Sequence, residues 1–259
     1  MKTFVVSDLH CGDGGARDNF AQLGNDKQFN EFLDYVGDNQ LIIAGDLFEL
    51  WQGNFSKILT YNRPLMDRLG QKNVIYIIGN HDIDLKYFIN TNQLSHPLFA
   101  KMQKAVRLDV GIKHTLIVHG HEADPFCCNE DPDFGRVTAI ISGLLEDANS
   151  SKPNNPIVTE DRFIGGLEKF VKFYNLLTFK GSDDRLQELY DNYQQYLFDA
   201  GADCLICGHT HIPGRIDEWY YNAGSWARNQ NTFLEISDIL DVSIFEWANG
   251  PKSIDPILA

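Results

Sequence analysis

Two short stretches, far apart in the chain, carry the same kind of chemistry. In "VVSDLHCGD" only Leu9 separates Asp8 from His10, and in "CLICGHTH" only Thr210 separates His209 from His211. A strand sends positions i and i+2 to the same face, so each pair is expected to project together from a strand end. A carboxylate and an imidazole aimed at one point form either a salt-bridged pair or two ligands of a metal ion. Three further apolar runs end in the same way. "LIIAGDLFE" ends in Gly45-Asp46, "VIYIIGNHD" in Gly79-Asn80-His81-Asp82, and "TLIVHGHE" in His119-Gly120-His121. In open α/β sheets, sites form outside the carboxyl ends of the strands, so residues scattered along the chain can converge there. Glycine beside these ends lets the backbone turn and approach a ligand closely. Five such ends argue against accident, and against histidines merely satisfied by buried aspartates.

The donors collected in this way are Asp8, His10, Asp46, Asn80, His119, His209 and His211. They mix oxygen and nitrogen without thiolate, which suits Mn²⁺, Fe²⁺ or Zn²⁺, with Mn²⁺ the first expectation. Seven donors exceed what one tetrahedral ion takes and suit two divalent ions sharing a carboxylate. Two such ions bring +4, Asp8 and Asp46 −2 and a bridging hydroxide −1, so the centre is left at about +1. A centre of that charge attracts phosphate oxygens, and ion pairs ~3.5–4 Å apart suit in-line displacement at phosphorus. The expected reaction is hydrolysis of a phosphoester or phosphoanhydride. His81 is expected to meet the substrate as an acid or phosphate-contacting group, with Asp82 fixing its tautomer. A turn histidine simply bonded to Asp82 is the alternative. His121 reads as a neighbour of the ligands, and His96 and His114 as structural.

The elements that must position these residues alternate in the first half of the chain. Strands are expected over 3–7, 41–45 and 74–79. The stretch "DKQFNEFLDYVG" puts Phe29, Phe32, Leu33 and Val36 on one helical face, with Asp26 as its cap and Gly37 as its stop. "SKILTYNRPLMDRLG" reads as a helix interrupted near Pro64 and ended by Gly70. Strands this apolar suit a sheet covered on both faces, which predicts an α/β core. From Ala105 the pattern shifts to strands joined by short turns. Between them lies a helical stretch at about 122–200, expected as an insertion over the strand ends, or else as core helix. Its second half carries Leu186, Leu189, Tyr190, Tyr193 and Leu197 on one face after a Ser182 cap. Phe163, Phe170 and Tyr174, with Phe173 and Phe179, are candidates for an apolar pocket wall beside the ions.

Bulk properties count against several classes. The chain has 259 residues, 43% hydrophobic and 22% charged, with a net charge of −14. That balance disfavours a broad nucleic-acid surface and adhesion to anionic membranes. No signal peptide is legible and no apolar run approaches bilayer length, and Cys11, Cys127, Cys128, Cys204 and Cys207 read as reduced thiols. A cytoplasmic location is the expectation. Cys204 and Cys207 form a C-x-x-C inside the apolar run "CLIC" and read as a buried strand rather than a redox pair.

In that order, "DLH", "GD" at 45–46, "GNHD" at 79–82, "HGH" at 119–121 and "GHTH" at 208–211 resemble the calcineurin-like metallophosphoesterase superfamily. The resemblance spans residues 8–211 and implies an α/β (α+β) fold, a four-layer αββα sandwich over 1–259 with a helical insertion. It implies that Asp8, His10 and His211 hold one metal, that Asn80, His119 and His209 hold the other, and that Asp46 bridges them. It also implies cleavage of a phosphodiester or pyrophosphate bond by a metal-bridging hydroxide, with His81 as the acid. "GDLFELW" at 45–51 and "YNAGSW" at 221–226 are similar to UDP-2,3-diacylglucosamine pyrophosphatases, which act on an amphiphilic substrate. The chain departs from that subfamily at His81, where Arg is typical, and at His121, where Asp is typical. Competing readings are a phosphomonoesterase, a nuclease and a non-catalytic metal-binding scaffold. The negative charge counts against the nuclease, and the filled ligand set counts against the scaffold.

Overall fold

A computed structural model of the chain describes residues 2–91, 93–125, 127, 136, 182–228 and 230–258. Two mixed sheets lie at its centre. The first contains β1 (Thr3–Val6), β2 (Gln40–Ala44), β3 (Val74–Ile77), β4 (Met102–Gln103), β10 (Thr232–Ile236), β11 (Val242–Trp247) and β12 (Pro251–Ile254), in the order β12-β11-β10-β1-β2-β3-β4. The second contains β5 (Val106–Val110), β6 (Lys113–Ile117), β7 (Cys204–Cys207), β8 (Gly214–Ile216) and β9 (Tyr220–Asn222), in the order β5-β6-β7-β9-β8. Strands β1, β2 and β3 run parallel, as do β6, β7 and β9, so their carboxyl ends share one edge in each sheet.

The side-chain alternation of the strands explains why the sheets stack. On β1, Phe4 and Val6 join a helix-facing core while Val5 joins the core between the sheets. On β2, Leu41 and Ile43 go to the first and Ile42 and Ala44 to the second. On β7, Ile206 faces the first sheet, whereas Leu205 and Cys207 face a third cluster with Leu189, Tyr190, Tyr193 and Leu197. These strands are buried on both faces, as their unbroken apolar runs require. The outer layers are α1 (Asn19–Gln22), α2 (Asn25–Val36), α3 (Phe55–Tyr61) and α4 (Arg63–Gln71) on one side, and α5 (Ser182–Asp199) on the other. The result is an α/β sandwich of four layers, αββα.

Helix α2 buries Phe29, Phe32, Leu33 and Val36 and stops at Gly37, whose φ of 59° favours a residue without a Cβ. Its cap is Gly24 rather than Asp26, which sits in the first turn, where a carboxylate faces the positive helix end. The expected break near Pro64 separates α3 from α4, and α4 runs to Gln71, one residue past Gly70. The apolar face of α5 packs on the second sheet. Phe163, Phe170, Phe173, Tyr174 and Phe179, proposed as pocket wall, lie outside the described residues. Among the described residues, no helix is long and apolar enough to cross a membrane.

Candidate metal centre

The five strand ends meet. Asp8 and His10 follow β1, Asp46 follows β2 and Asn80 follows β3, all in the first sheet, while His119 follows β6 and His209 and His211 follow β7 in the second. The centre therefore sits on the seam between the sheets, with donors from both. The local geometry differs from simple strand alternation. Asp8, His10, Asp46, His209 and His211 lie past the ends of their strands with φ of 54°, 47°, 52°, 66° and 59°. Left-handed backbone is uncommon for residues with a Cβ, and such strain gathers at functional sites where the surroundings over-determine it. The i, i+2 pairs converge through paired turns, not through an extended backbone.

The surrounding backbone and side chains approach so closely that several of these turns require glycine, Gly208 and Gly79 among them. A Cβ on Gly208 would stand 1.8 Å from Ser7 Oγ and 2.3 Å from Asp8 Oδ2, and one on Gly79 would stand 2.2 Å from Asp46 Oδ1. Backbone bonds lock the turns together. His10 N donates to Asp46 O at 2.9 Å, Trp226 N to Asp8 O at 3.1 Å and Gly208 N to His119 O at 2.9 Å.

The donor atoms are packed at coordination spacing. His211 Nε2 lies 3.1 Å from Asp8 Oδ1, and His10 Nε2 lies 3.6 Å from Asp8 Oδ1 and 3.1 Å from His211 Nε2. On the other side, His119 Nε2 lies 3.2 Å from Asp46 Oδ2 and 2.9 Å from Asn80 Oδ1, which is 3.1 Å from His209 Nδ1. Asp46 Oδ2 stands between the two groups, 3.6 Å from His10 Nε2. Nitrogen and oxygen ligands held about 2.0–2.2 Å from one divalent ion are themselves roughly 3.0–3.5 Å apart. Asp8 Oδ1 and His211 Nδ1 are buried and take part in no hydrogen bond among the described residues. The donor set fits a pair of divalent ions.

The supporting bonds point the rings. His119 Nδ1 bonds Ala44 O at 2.8 Å, which leaves Nε2 for the centre, and His10 Nδ1 meets Glu49 Oε2 at 3.1 Å with the same result. His209 is turned the other way, with Nε2 on Asp124 Oδ2 at 2.9 Å and Nδ1 toward Asn80. Asp8 Oδ2 accepts from Ser7 Oγ at 2.5 Å and from His209 N at 2.9 Å.

Charge is the other half of the design. Burial alone would push the carboxyls of Asp8 and Asp46 up, yet the adjacent imidazoles outweigh it and hold both below the usual carboxylate range. Burial likewise opposes a charged His119, but Asp46 and then Asp8 raise it to about 10. The pocket is built for positive charge. His121 goes the other way; burial, helped by the nearby His119 and His209, outweighs the pull of Glu122 and lowers it to about 4.

The structure pairs His81 with Glu49 rather than with Asp82. His81 Nδ1 lies 2.7 Å from Glu49 Oε2, an ion-pair contact too bent for a regular hydrogen bond, and Trp51 stacks on the ring. Asp82 is buried and turned away. Its Oδ1 accepts from Gly79 N at 2.7 Å, and its Oδ2 accepts from Leu47 N at 2.9 Å and from the Tyr76 hydroxyl. It ties the end of β2 to the end of β3, so its role in this geometry is to shape the turn that carries Asn80 and His81. Glu49 and Asp124 were missed by the sequence reading. Glu49 stood in the quoted "GDLFE", three residues past Asp46, but nothing in its spacing announces a turn back onto His81. Asp124, Cys127 and His209 also cluster, with one donor atom each lying within 4.8 Å of the others. His96 and His114 pair with Asp67 and Asp109, away from the centre. Burial raises Cys204 and Cys207 to about 12, as inert strand thiols.

Among solved structures, vacuolar protein sorting 29 from Cryptosporidium parvum is similar over 98% of each chain at 12% identity and a TM-score of 0.46. The phosphoesterase Yfce from E. coli is similar over 98% of each chain at 14% identity and a TM-score of 0.42. A cold-active protein-tyrosine phosphatase from a Shewanella species is similar at 11% identity and a TM-score of 0.43, covering 97% of this chain and 80% of its own. Likeness this distant carries no argument about substrate. Curated proteins give no match. The model of the calcineurin-like phosphoesterase family matches residues 1–213. The chain therefore belongs to the calcineurin-like phosphoesterase family, hydrolases of phosphoester bonds that depend on divalent metal.

Proposed function

We propose that the centre is a two-metal site. Asp8, His10 and His211 hold one ion, Asn80, His119 and His209 hold the other, Asp46 joins the two, and Mn²⁺ is the first candidate. The observation that carries this reading is the convergence of seven donors from five strand ends at ligand spacing. When bound, the ions supply Lewis-acid polarisation of phosphoryl oxygens and lower the pKa of a coordinated water. The protein supplies the rest. Asn80 and the histidines add no negative charge, so the centre keeps its attraction for phosphate. His81 stands beside His10, its ring edge-on at 4.6 Å between centroids, and acts as proton donor to the leaving oxygen. Asp82 serves by holding the turn.

The substrate we favour is a small or amphiphilic phosphodiester or pyrophosphate, acted on in the cytoplasm by one domain whose segment at about 122–200 is an insertion. The likeness of "GDLFELW" and "YNAGSW" to UDP-2,3-diacylglucosamine pyrophosphatases supports it. A phosphomonoesterase uses the same ligands and is the competing reading. The test is metal quantification on purified protein, then turnover of mono-, di- and pyrophosphate esters. Asp46→Asn is expected to abolish turnover and to lower the metal content from two ions per chain. Near wild-type activity and metal content in that variant would refute the assignment, and hydrolysis of monoesters alone would select the competing one.

A further inference from the structure

Trp51 closes the stretch Gly45–Trp51 and lays its indole on the His81 ring, with centroids 4.2 Å apart and planes inclined by 26°. Glu49 bends the loop into that position, because its Oε1 accepts from the backbone N of Trp51 and of Gln52, each at 3.2 Å. From another side the His10 ring meets His81 edge-on, at 88°. The imidazole is thus enclosed by an indole face, a ring edge and the Glu49 carboxylate, and only 18% of the His81 side chain remains accessible. Trp51 itself is 7% exposed, and its Nε1 is buried without a hydrogen-bond partner among the described residues. No polar anchor for the indole is found there, so packing is what orients it.

We propose that Trp51 is a positioning residue that fixes the plane of His81 for proton delivery. The inference rests on the reading of His81 as the proton donor. In the step it serves, a water oxygen forms the new bond to phosphorus and gives its proton to solvent. The bond from phosphorus to the leaving oxygen breaks with its electron pair going to that oxygen, and the proton on His81 passes to it. Without the stack the ring turns about its last torsion, and the proton is misaimed while the phosphate still binds.

The test uses two aryl phosphoesters of whichever class the enzyme turns over, one losing 4-nitrophenol and one losing phenol. Nitrophenolate departs without a proton; phenolate benefits from one. Trp51→Leu is expected to lower kcat on the phenyl ester about tenfold and on the nitrophenyl ester by less than twofold, with KM within twofold. Trp51→Phe, which keeps a flat face, is expected to fall between. His81→Asn is expected to show the same selectivity more strongly, and the double variant to be no worse than His81→Asn alone. Metal-free protein gives a second readout: His81→Asn changes tryptophan emission in the wild type but not in Trp51→Phe. Equal losses on both esters for Trp51→Leu, or emission that ignores His81, would overturn the inference while leaving His81 as acid. A His81→Asn variant that spares the phenyl ester would overturn the acid reading as well.

Discussion

Replacing Glu49 by Gln separates the support of the centre from the centre itself. One carboxylate oxygen serves two imidazoles, 3.1 Å from His10 Nδ1 and 2.7 Å from His81 Nδ1, and the other accepts from two backbone N–H groups. Burial works to raise this carboxyl, but the contact with His81 and then the bond to His10 hold it down to about 2. Glutamine fills the same volume with one acceptor oxygen and one amide donor. Whichever way it is turned, either the two rings or the two backbone groups face a donor. A buried donor left unpaired costs about 1–3 kcal/mol, and 1.4 kcal/mol is about tenfold in rate. Loss of a partner behind a metal ligand independently predicts about 10–100-fold. Turnover by Glu49→Gln should therefore fall about 10–100-fold, and metal affinity should weaken through His10, while Glu49→Asp recovers part of both. Steady-state kinetics and competition with a chromophoric chelator read the two effects. Gln within twofold of wild type in both measurements would show that Glu49 supports neither ring.

Two further outcomes follow from contacts and charges described above. Gly208→Ala places a methyl group where Ser7 Oγ stands at 1.8 Å, so about 1–3 kcal/mol of stability and much of the bound metal should be lost. A denaturation midpoint and metal content equal to wild type would contradict the close approach. Metal-stripped protein should lose stability as pH rises from about 6.5 to about 10. His119 binds its proton more tightly folded than unfolded, so that contribution is complete below about 6.5 and gone once the folded value of about 10 is passed. Added metal must displace the same proton, so affinity should rise over this range, and flat profiles in both titrations would refute the sign.

The meeting of these donors was legible because each sits at the end of an apolar run, and such runs announce strands and their direction. The layers were legible for the same reason: Leu41, Ile42 and Ile43 can all be apolar only if both faces of β2 are covered. The route to convergence was not legible. Asp8 and His10 were expected to share a face of extended chain, whereas both turn into left-handed backbone beyond Val6. Partners brought in by loops were equally hidden. Asp124 reaches His209 across 85 positions, and Asp82 bonds to the backbone of Leu47 rather than to its neighbour His81. Strands β4 and β8 run only two and three residues, too short for alternation to register.

The placement of the centre on the seam between the sheets bears on how the protein is made. On the proposed assignment, the first eighty residues of a growing chain carry one imidazole ligand, His10, and three oxygen donors; the remaining three ligands emerge only with His119, His209 and His211. Loading must then wait until most of the polypeptide has left the ribosome. Once seated, each ion clasps sequence segments more than a hundred positions apart, and so acts as a late rivet between parts synthesised at different times.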